Sequence, residues 1–174
     1  MNTYVMSDIH GCYNEMYDMF NKINFSENDQ LIIAGDYIDR GEKNYEMLCW
    51  IENAPDNVLL LKGNHDVEFS YNIELIYQVI NNNNINIDID NSNTTKLIYK
   101  LTKNLLYDNK NSVLFDYYGT INNLINNENV TLKKLYIWKS IIDSMPYLYK
   151  IKIDGRKFII VHAGYTNKEN IKKI

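Results

Sequence analysis

The chain has 174 residues, 45% of them hydrophobic and 23% charged, which is enough apolar material for one domain with a hydrophobic core. Its formal net charge of −4 makes it a poor candidate for general nucleic-acid binding, which needs a basic face. The chain begins without the basic and apolar segments of a secretion signal, and no apolar run approaches the roughly 20 residues of a membrane span. We therefore expect a cytoplasmic protein without a nucleic-acid or membrane partner.

The first 65 residues alternate between short apolar runs and helical patterns. Apolar runs over 2–7, 31–34 and 58–61 predict three buried strands. Helical spacing of apolar residues over 12–23 and 43–53 predicts the two helices between them. This alternation predicts a parallel sheet with right-handed crossovers, and hence an α/β fold.

The second half of the chain begins with helical patterns and ends with strands. We predict a helical insertion over about 67–143, interrupted by the polar segment 81–93, for which a loop or disorder are both open. Two alternating runs then follow, separated by Asp154 and Gly155, and Asp-Gly between such runs predicts a two-residue β-hairpin. We expect residues 1–174 to form a single domain.

The two cysteines, Cys12 and Cys49, have no paired spacing. We expect two buried, reduced thiols rather than a disulfide, in keeping with a cytoplasmic location. No CxxC or Cys-His spacing is present, so a structural zinc site is not expected.

Each of the three predicted strands of the first half ends in a polar cluster. The clusters are "DIHG" with Asp8 and His10, "GDYIDRG" with Asp36, Asp39 and Arg40, and "GNHD" with Asn64, His65 and Asp66. In an open α/β sheet the carboxyl ends of the strands are where ligands bind, so the three clusters should converge on one crevice.

The side chains in these clusters suit a metal and a phosphate. Carboxylate, imidazole and amide oxygen are ligands for divalent ions such as Mn, Fe or Zn, and an arginine offers a bidentate fork to phosphate oxygens. All three histidines of the chain, His10, His65 and His162, follow apolar runs beside glycine or acidic residues. A buried, structural histidine is the alternative for any one of them, but it does not explain why all three share this placement.

The motifs "DIHG", "GDYIDRG" and "GNHD", in this order, closely resemble those of the calcineurin-like metallophosphoesterases of the phosphoprotein phosphatase type. Bacterial serine/threonine protein phosphatases and symmetrical diadenosine tetraphosphatases are the most similar branches. The final "MPYLYKIKIDGRKFIIVHAG" also resembles the hairpin and metal-binding histidine of those proteins. The resemblance implies a hydrolase of phosphorylated proteins, or of small phosphoesters such as dinucleoside tetraphosphates.

The resemblance also implies two divalent metal ions, with manganese first and iron or zinc as alternatives, and a hydroxide shared between them. Its metal ligands would be Asp8 and His10 for the first ion, Asn64 and His162 for the second, and Asp36 for both. His65 would be the proton donor, oriented by Asp39.

Phosphate would be held by Arg40 together with Asn64. The alternative for Asp39 and Arg40 is a local salt bridge, and for Asp66 we prefer a helix N-terminal role.

One part of the pattern is missing, because the resembling proteins carry a further metal-binding histidine downstream of "HAG" and no histidine follows His162 here. Glu169 or the terminal carboxylate could substitute. We expect the chain to be a truncated version of a longer phosphatase that lacks the C-terminal part of the fold. A natural short form with impaired catalysis, which binds metal or phosphate, and a partner chain that supplies the missing part are the alternatives.

Overall fold

The computed structural model describes residues 1–108 and 115–163, and its first half contains a three-stranded parallel sheet. The strands are β1 (Thr3–Met6), β2 (Gln30–Ala34) and β3 (Val58–Leu61), with β2 in the centre. Helix α1 (Tyr13–Lys22) connects β1 to β2, and helix α2 (Asn44–Glu52) connects β2 to β3. The predicted alternation of strand, helix, strand, helix and strand is confirmed.

Four helices follow the sheet in the part of the chain that the structure describes. They are α3 (Asn64–Asn82), α4 (Ser92–Asp108), α5 (Thr120–Leu124) and α6 (Leu132–Ser144). In α3 the side chains at 69, 73, 76 and 80 are buried at the 3- and 4-residue spacing of one helix face. Residues 83–91 of the polar segment predicted over 81–93 connect α3 to α4, so the loop interpretation is confirmed for these residues, while the segment's two ends belong to the helices.

A β-hairpin follows α6. Its strands are β4 (Leu148–Ile153) and β5 (Arg156–Val161), which pair in antiparallel register with Ile153 opposite Arg156. Asp154 and Gly155 form the predicted two-residue turn, with φ angles of +48° and +80°. Both central residues of this kind of turn require positive φ, which explains the Asp-Gly pair.

The side chains of β2 alternate between two apolar clusters. Leu31 and Ile33 pack against the helices, whereas Ile32 and Ala34 belong to a smaller cluster with Leu61. Side chains of the hairpin, Tyr149, Ile151 and Ile160, pack against this smaller cluster. The central strand is therefore covered on both faces, which is why its sequence is a continuous apolar run.

Two predictions about burial are wrong. Strand β1 lies at the edge of the sheet and leaves Val5 55% exposed, and of the residues in β3 only Leu61 is fully buried. Cys12 is exposed and Cys49 is half-buried, although both are free thiols as expected. Cys12 immediately precedes α1 at the surface, a position that its local sequence pattern did not indicate.

None of the helices in the described ranges is long and apolar enough to cross a bilayer.

Candidate active site

The predicted polar clusters meet at the carboxyl edge of the parallel sheet. Asp36 lies at the centre, because its carboxylate approaches all three histidines. Its Oδ2 is 3.7 Å from Nε2 of His10, 3.9 Å from Nε2 of His65 and 3.2 Å from Nε2 of His162. The convergence expected from the strand ends is therefore present, and the hairpin adds the third histidine.

The loops after β1 and β2 hold the site in an unusual backbone conformation. Positive φ angles, between +48° and +70°, occur at Asp8, His10, Asp36, Asp39 and Arg40. Such angles strain residues other than glycine, and they persist only where the surrounding structure enforces them. Here two backbone hydrogen bonds, each 3.0 Å long, join the two loops. The N–H of residue 8 donates to the carbonyl of residue 35, and the N–H of residue 10 donates to the carbonyl of residue 36.

The fully buried side chain of Asp66 supports the backbone conformation of these loops. Its Oδ2 accepts the N–H groups of Gly63 and Asp36 at 2.8 Å, and its Oδ1 accepts the N–H of Tyr37 at 3.1 Å. Burial raises the pKa of the Asp66 carboxyl to about 6. The predicted role at the N-terminus of α3 is confirmed, and Asp66 also fixes the loop that carries Asp36.

The ring of His10 is oriented as a metal ligand. Its Nδ1 donates to the carbonyl of Ile38 at 2.8 Å, which leaves the lone pair on Nε2. That Nε2 is buried without a hydrogen-bond partner, and it lies 3.8 Å from Oδ1 of Asp8. A buried polar atom normally has a partner, so a cation between this nitrogen and the two carboxylates fits the site.

His162 repeats this arrangement beside Asp36. Its Nδ1 donates to the carbonyl of Ala34 at 2.8 Å, so its Nε2 also presents a lone pair. This lone pair faces two oxygens, Oδ2 of Asp36 at 3.2 Å and Oδ1 of Asn64 at 3.0 Å. Three electron-rich atoms that face one another are stabilised by a cation between them.

Two groups of residues could thus hold a metal ion, and Asp36 belongs to both. The ligand atoms of Asp8, Asp36 and His162 lie within 4.8 Å of one another, as do those of His10, Asp36 and His65. A carboxylate shared by two groups matches the bridging position that the resemblance implied for Asp36. The division of the remaining ligands between the two ions, and the place of His65 beside them, stay predictions.

His65 is held from both sides. Its Nδ1 is 2.7 Å from Oδ2 of Asp39, and its Nε2 is 3.2 Å from Nη2 of Arg40. Because a guanidinium only donates, Nε2 accepts from Arg40 and Nδ1 carries the hydrogen that is donated to Asp39. In the described residues Asp39 forms no ion pair with Arg40, so the alternative of a local salt bridge between them is wrong.

Three further residues, none of them predicted from the sequence, contact the Asp39–His65 pair, which we call the dyad. Asn44 accepts the N–H of Asp39 at 2.9 Å, the hydroxyl of Thr120 donates to Oδ1 of Asp39, and the ring of Tyr118 lies 4.8 Å from that of His65. Thr120 and Tyr118 come from the helical insertion, where no motif marks them. The replacement ligands suggested earlier, Glu169 and the terminal carboxylate, lie outside the described residues.

Gly63 is expected to be essential for the position of Asp36. A Cβ at this position would lie 2.1 Å from Oδ1 of Asp36, a distance that no pair of atoms tolerates. We predict that Gly63→Ala displaces the carboxylate and lowers manganese affinity at least about tenfold, as isothermal titration calorimetry would measure.

Gly155→Ala is the matched control, because a Cβ there meets nothing within 4 Å although φ is +80°. It should cost about 1 kcal/mol of stability and leave metal binding unchanged. Equal metal affinities in the two variants would contradict the assigned role of Gly63.

The whole chain, residues 1–174, matches the calcineurin-like phosphoesterase family. The chain belongs to this family. Membership confirms the resemblance carried by the three motifs, and it agrees with the α/β architecture described above.

Two relatives that match part of the chain share one name. A symmetrical bis(5'-nucleosyl)-tetraphosphatase of Buchnera aphidicola subsp. Baizongia pistaciae is 38% identical over 112 residues, which are 62% of this chain and 39% of the relative. A protein of the same name from Vibrio parahaemolyticus is 40% identical over 68 residues, 38% of this chain and 25% of the relative. The chain thus spans well under half the length of these relatives.

One solved structure shares the fold along nearly the whole chain. It is the crystal structure of a candidate diadenosine tetraphosphatase, with a TM-score of 0.51 and 14% sequence identity. The match covers 99% of this chain and 58% of that protein. At this level of identity the similarity shows the fold alone.

Proposed function

We propose that this member of the calcineurin-like phosphoesterase family is a metal-dependent phosphoesterase with a dinuclear centre at Asp36. The observation that carries the proposal is the pair of imidazole lone pairs, on His10 and His162, that converge on one buried carboxylate oxygen, Oδ2 of Asp36. Asp8 and Asn64 complete the proposed ligand set. Two divalent ions bound there would neutralise phosphate charge and lower the pKa of a water molecule.

The protein itself would bind the phosphate and supply the proton. Arg40 is exposed beside His65, so its guanidinium could turn from Nε2 of His65 to donate to phosphate oxygens, which would leave Nε2 free to carry a proton. We propose that Asn64 also contacts the phosphate.

His65 would protonate the leaving oxygen from Nε2. Asp39, at 2.7 Å from Nδ1, fixes the ring orientation and stabilises the imidazolium. This proposal separates the roles of two adjacent residues, because Asn64 would contact the metal and His65 would protonate the leaving group.

Two substrate classes suit this chemistry. The resemblance of the sequence motifs favours a serine/threonine phosphoprotein, whereas the names of the relatives favour a dinucleoside tetraphosphate. We propose to separate them by measuring phosphate release from a phosphoserine peptide and cleavage of diadenosine tetraphosphate under the same conditions, with added manganese. A kcat/KM at least about a hundredfold higher for one substrate would assign the class, since that ratio corresponds to about 2.7 kcal/mol.

The competing hypothesis is a catalytically silent member of the family that binds metal or phosphate. Metal counting on the purified protein distinguishes the two, because the enzyme should hold two ions per chain and the silent form one or none. Hydrolysis of neither substrate nor of 4-nitrophenyl phosphate, by protein loaded with two ions, would overturn the proposed activity.

Further parts of the proposal concern the whole chain. We propose manganese as the physiological ion, because the ligand set combines hard oxygens with imidazole. We also propose one domain over residues 1–174 with a helical insertion at about 67–143, and a cytoplasmic location. The two free cysteines support that location.

A further inference from the structure

The helical insertion reaches the proposed catalytic dyad through one buried hydroxyl. Thr120 is the first residue of α5, and its Oγ1 donates to Oδ1 of Asp39. The two residues are 81 positions apart in the sequence and only 3% and 4% exposed. Asp39 therefore uses one carboxylate oxygen for His65 and the other for the insertion.

The position of Thr120 is itself fixed by a buried carboxylate. Asp116 accepts the N–H of Ile121 on Oδ1 and that of Asn122 on Oδ2, both at 2.9 Å, so it binds the first turn of α5. The hydroxyl of Tyr99, on α4, donates to Oδ2 of Asp116 at 2.8 Å. Hydrogen bonds thus connect α4 to the first turn of α5, and a further hydrogen bond connects the first residue of α5 to Asp39, which holds His65.

A carboxylate that accepts only from an imidazole can rotate about its Cβ–Cγ bond. In this protein a second, independent donor holds the other oxygen, and the N–H of Asp39 is held by Asn44. Such support orients a catalytic group without touching the substrate, and losing it misplaces the reacting atoms.

We propose that Thr120 is a positioning residue, through which the helical insertion holds the Asp39–His65 pair in the orientation needed to protonate the leaving group. The inference rests on the proposed function of His65. It assigns a catalytic task to the insertion, in addition to its contribution to the core.

Leaving-group dependence tests this proposal. Phenolate is a basic leaving group that needs a proton in the transition state, whereas 4-nitrophenolate needs little help. We expect Thr120→Val to lower kcat for phenyl phosphate about tenfold, which corresponds to the roughly 1.4 kcal/mol of one hydrogen bond to a charged group, and to change kcat for 4-nitrophenyl phosphate less than about threefold. KM should remain unchanged for both.

Two variants control for folding and for chemistry. Thr120→Ser keeps the hydroxyl and should restore kcat for phenyl phosphate. Thr102→Val makes the same hydroxyl-to-methyl change at a buried position of α4, where the hydroxyl donates only to the carbonyl of Ile98, and should leave both rates unchanged. An equal loss of kcat on both substrates in Thr120→Val, or no loss on either, would overturn the proposal.

A proton NMR measurement tests the positioning role of Thr120 without an activity assay. The Nδ1–H of His65, held by Asp39, should give a far-downfield proton resonance in the metal-free protein, identified by its loss in His65→Asn. We expect this resonance in the native protein, Thr120→Ser and Thr102→Val, and a shifted or broadened resonance in Thr120→Val. An unchanged resonance in Thr120→Val overturns the positioning role even if no substrate is hydrolysed, whereas a changed resonance without hydrolysis would count against the proposed function alone.

Discussion

Replacing Asp36 with asparagine should abolish phosphoester hydrolysis and remove metal binding at the same time. Asp36 is 3% exposed, and its Oδ2 lies 3.2 Å from Nε2 of His162 and 3.7 Å from Nε2 of His10. An amide in its place removes the only charge common to both candidate metal groups. Its NH₂ could also donate to a histidine lone pair, which would satisfy that nitrogen without a cation.

We expect kcat/KM of Asp36→Asn to fall at least about a thousandfold, because metal ions supply several kcal/mol of transition-state stabilisation. Metal content, measured by elemental analysis after gel filtration, should fall from two ions per chain to one or none. Hydrolysis of 4-nitrophenyl phosphate with added manganese is the activity measurement.

Asp29→Asn is the matched control for this experiment. Asp29 is also buried, but it lies at the opposite end of β2, where it accepts the N–H groups of Asn2 and Ser26. The control should lose some stability and keep both its metals and its activity. If Asp36→Asn kept two ions and its native rate, the dinuclear centre would have to be placed elsewhere.

Replacing His65 with asparagine should separate catalysis from metal binding. We expect kcat for phenyl phosphate to fall between about a hundredfold and ten-thousandfold, the usual contribution of a positioned acid. The metal content should stay at two ions per chain, because the proposed ligands are all retained. Asp39→Asn should show a smaller loss in the same direction, since it removes the orientation of the ring and leaves the ring itself.

The contrasting variant is His162→Asn, which removes a proposed ligand. It should lower both metal content and activity. The comparison is informative because Nε2 of His65 lies 3.9 Å from Oδ2 of Asp36, within reach of an ion bound at that carboxylate. Loss of metal from His65→Asn to the same degree as from His162→Asn would make His65 a ligand and would contradict its role as proton donor.

Local sequence patterns predicted most of the backbone. Strand β2 was recognisable because both of its faces are buried, so four consecutive apolar residues occur without interruption. The hairpin was recognisable because the Asp154-Gly155 turn requires positive φ at two positions, which few residue pairs allow. Both signals depend on neighbours in the sequence, and they need no knowledge of the rest of the fold.

Burial at the edges of the sheet was not predictable in this way. Val5 is as apolar as its neighbours in β1, yet it is 55% exposed because β1 has β2 on one side and none of the other described strands on its second side. The sequence of a strand shows that it is apolar, but the order of strands decides which of its residues are covered.

The candidate site, too, was predictable only in part from the sequence. The composition of the candidate site was predictable from the sequence, because the motifs placed carboxylates, imidazoles and an arginine at the ends of three parallel strands, where the geometry of a parallel sheet brings side chains together. It also identified Asp36 as the shared residue, through the resemblance of its motif.

Two features could be learned from the folded structure alone: which nitrogen of each ring faces the candidate metal site, and what holds the Asp39–His65 pair. The carbonyls of Ile38 and Ala34 fix the rings of His10 and His162, and any residue could supply a carbonyl, so no side-chain pattern marks them. Thr120 reaches Asp39 across 81 residues, from an insertion whose sequence shows only helical spacing. Contacts of this kind depend on how separate elements pack, and packing is a property of the folded chain that local patterns do not encode.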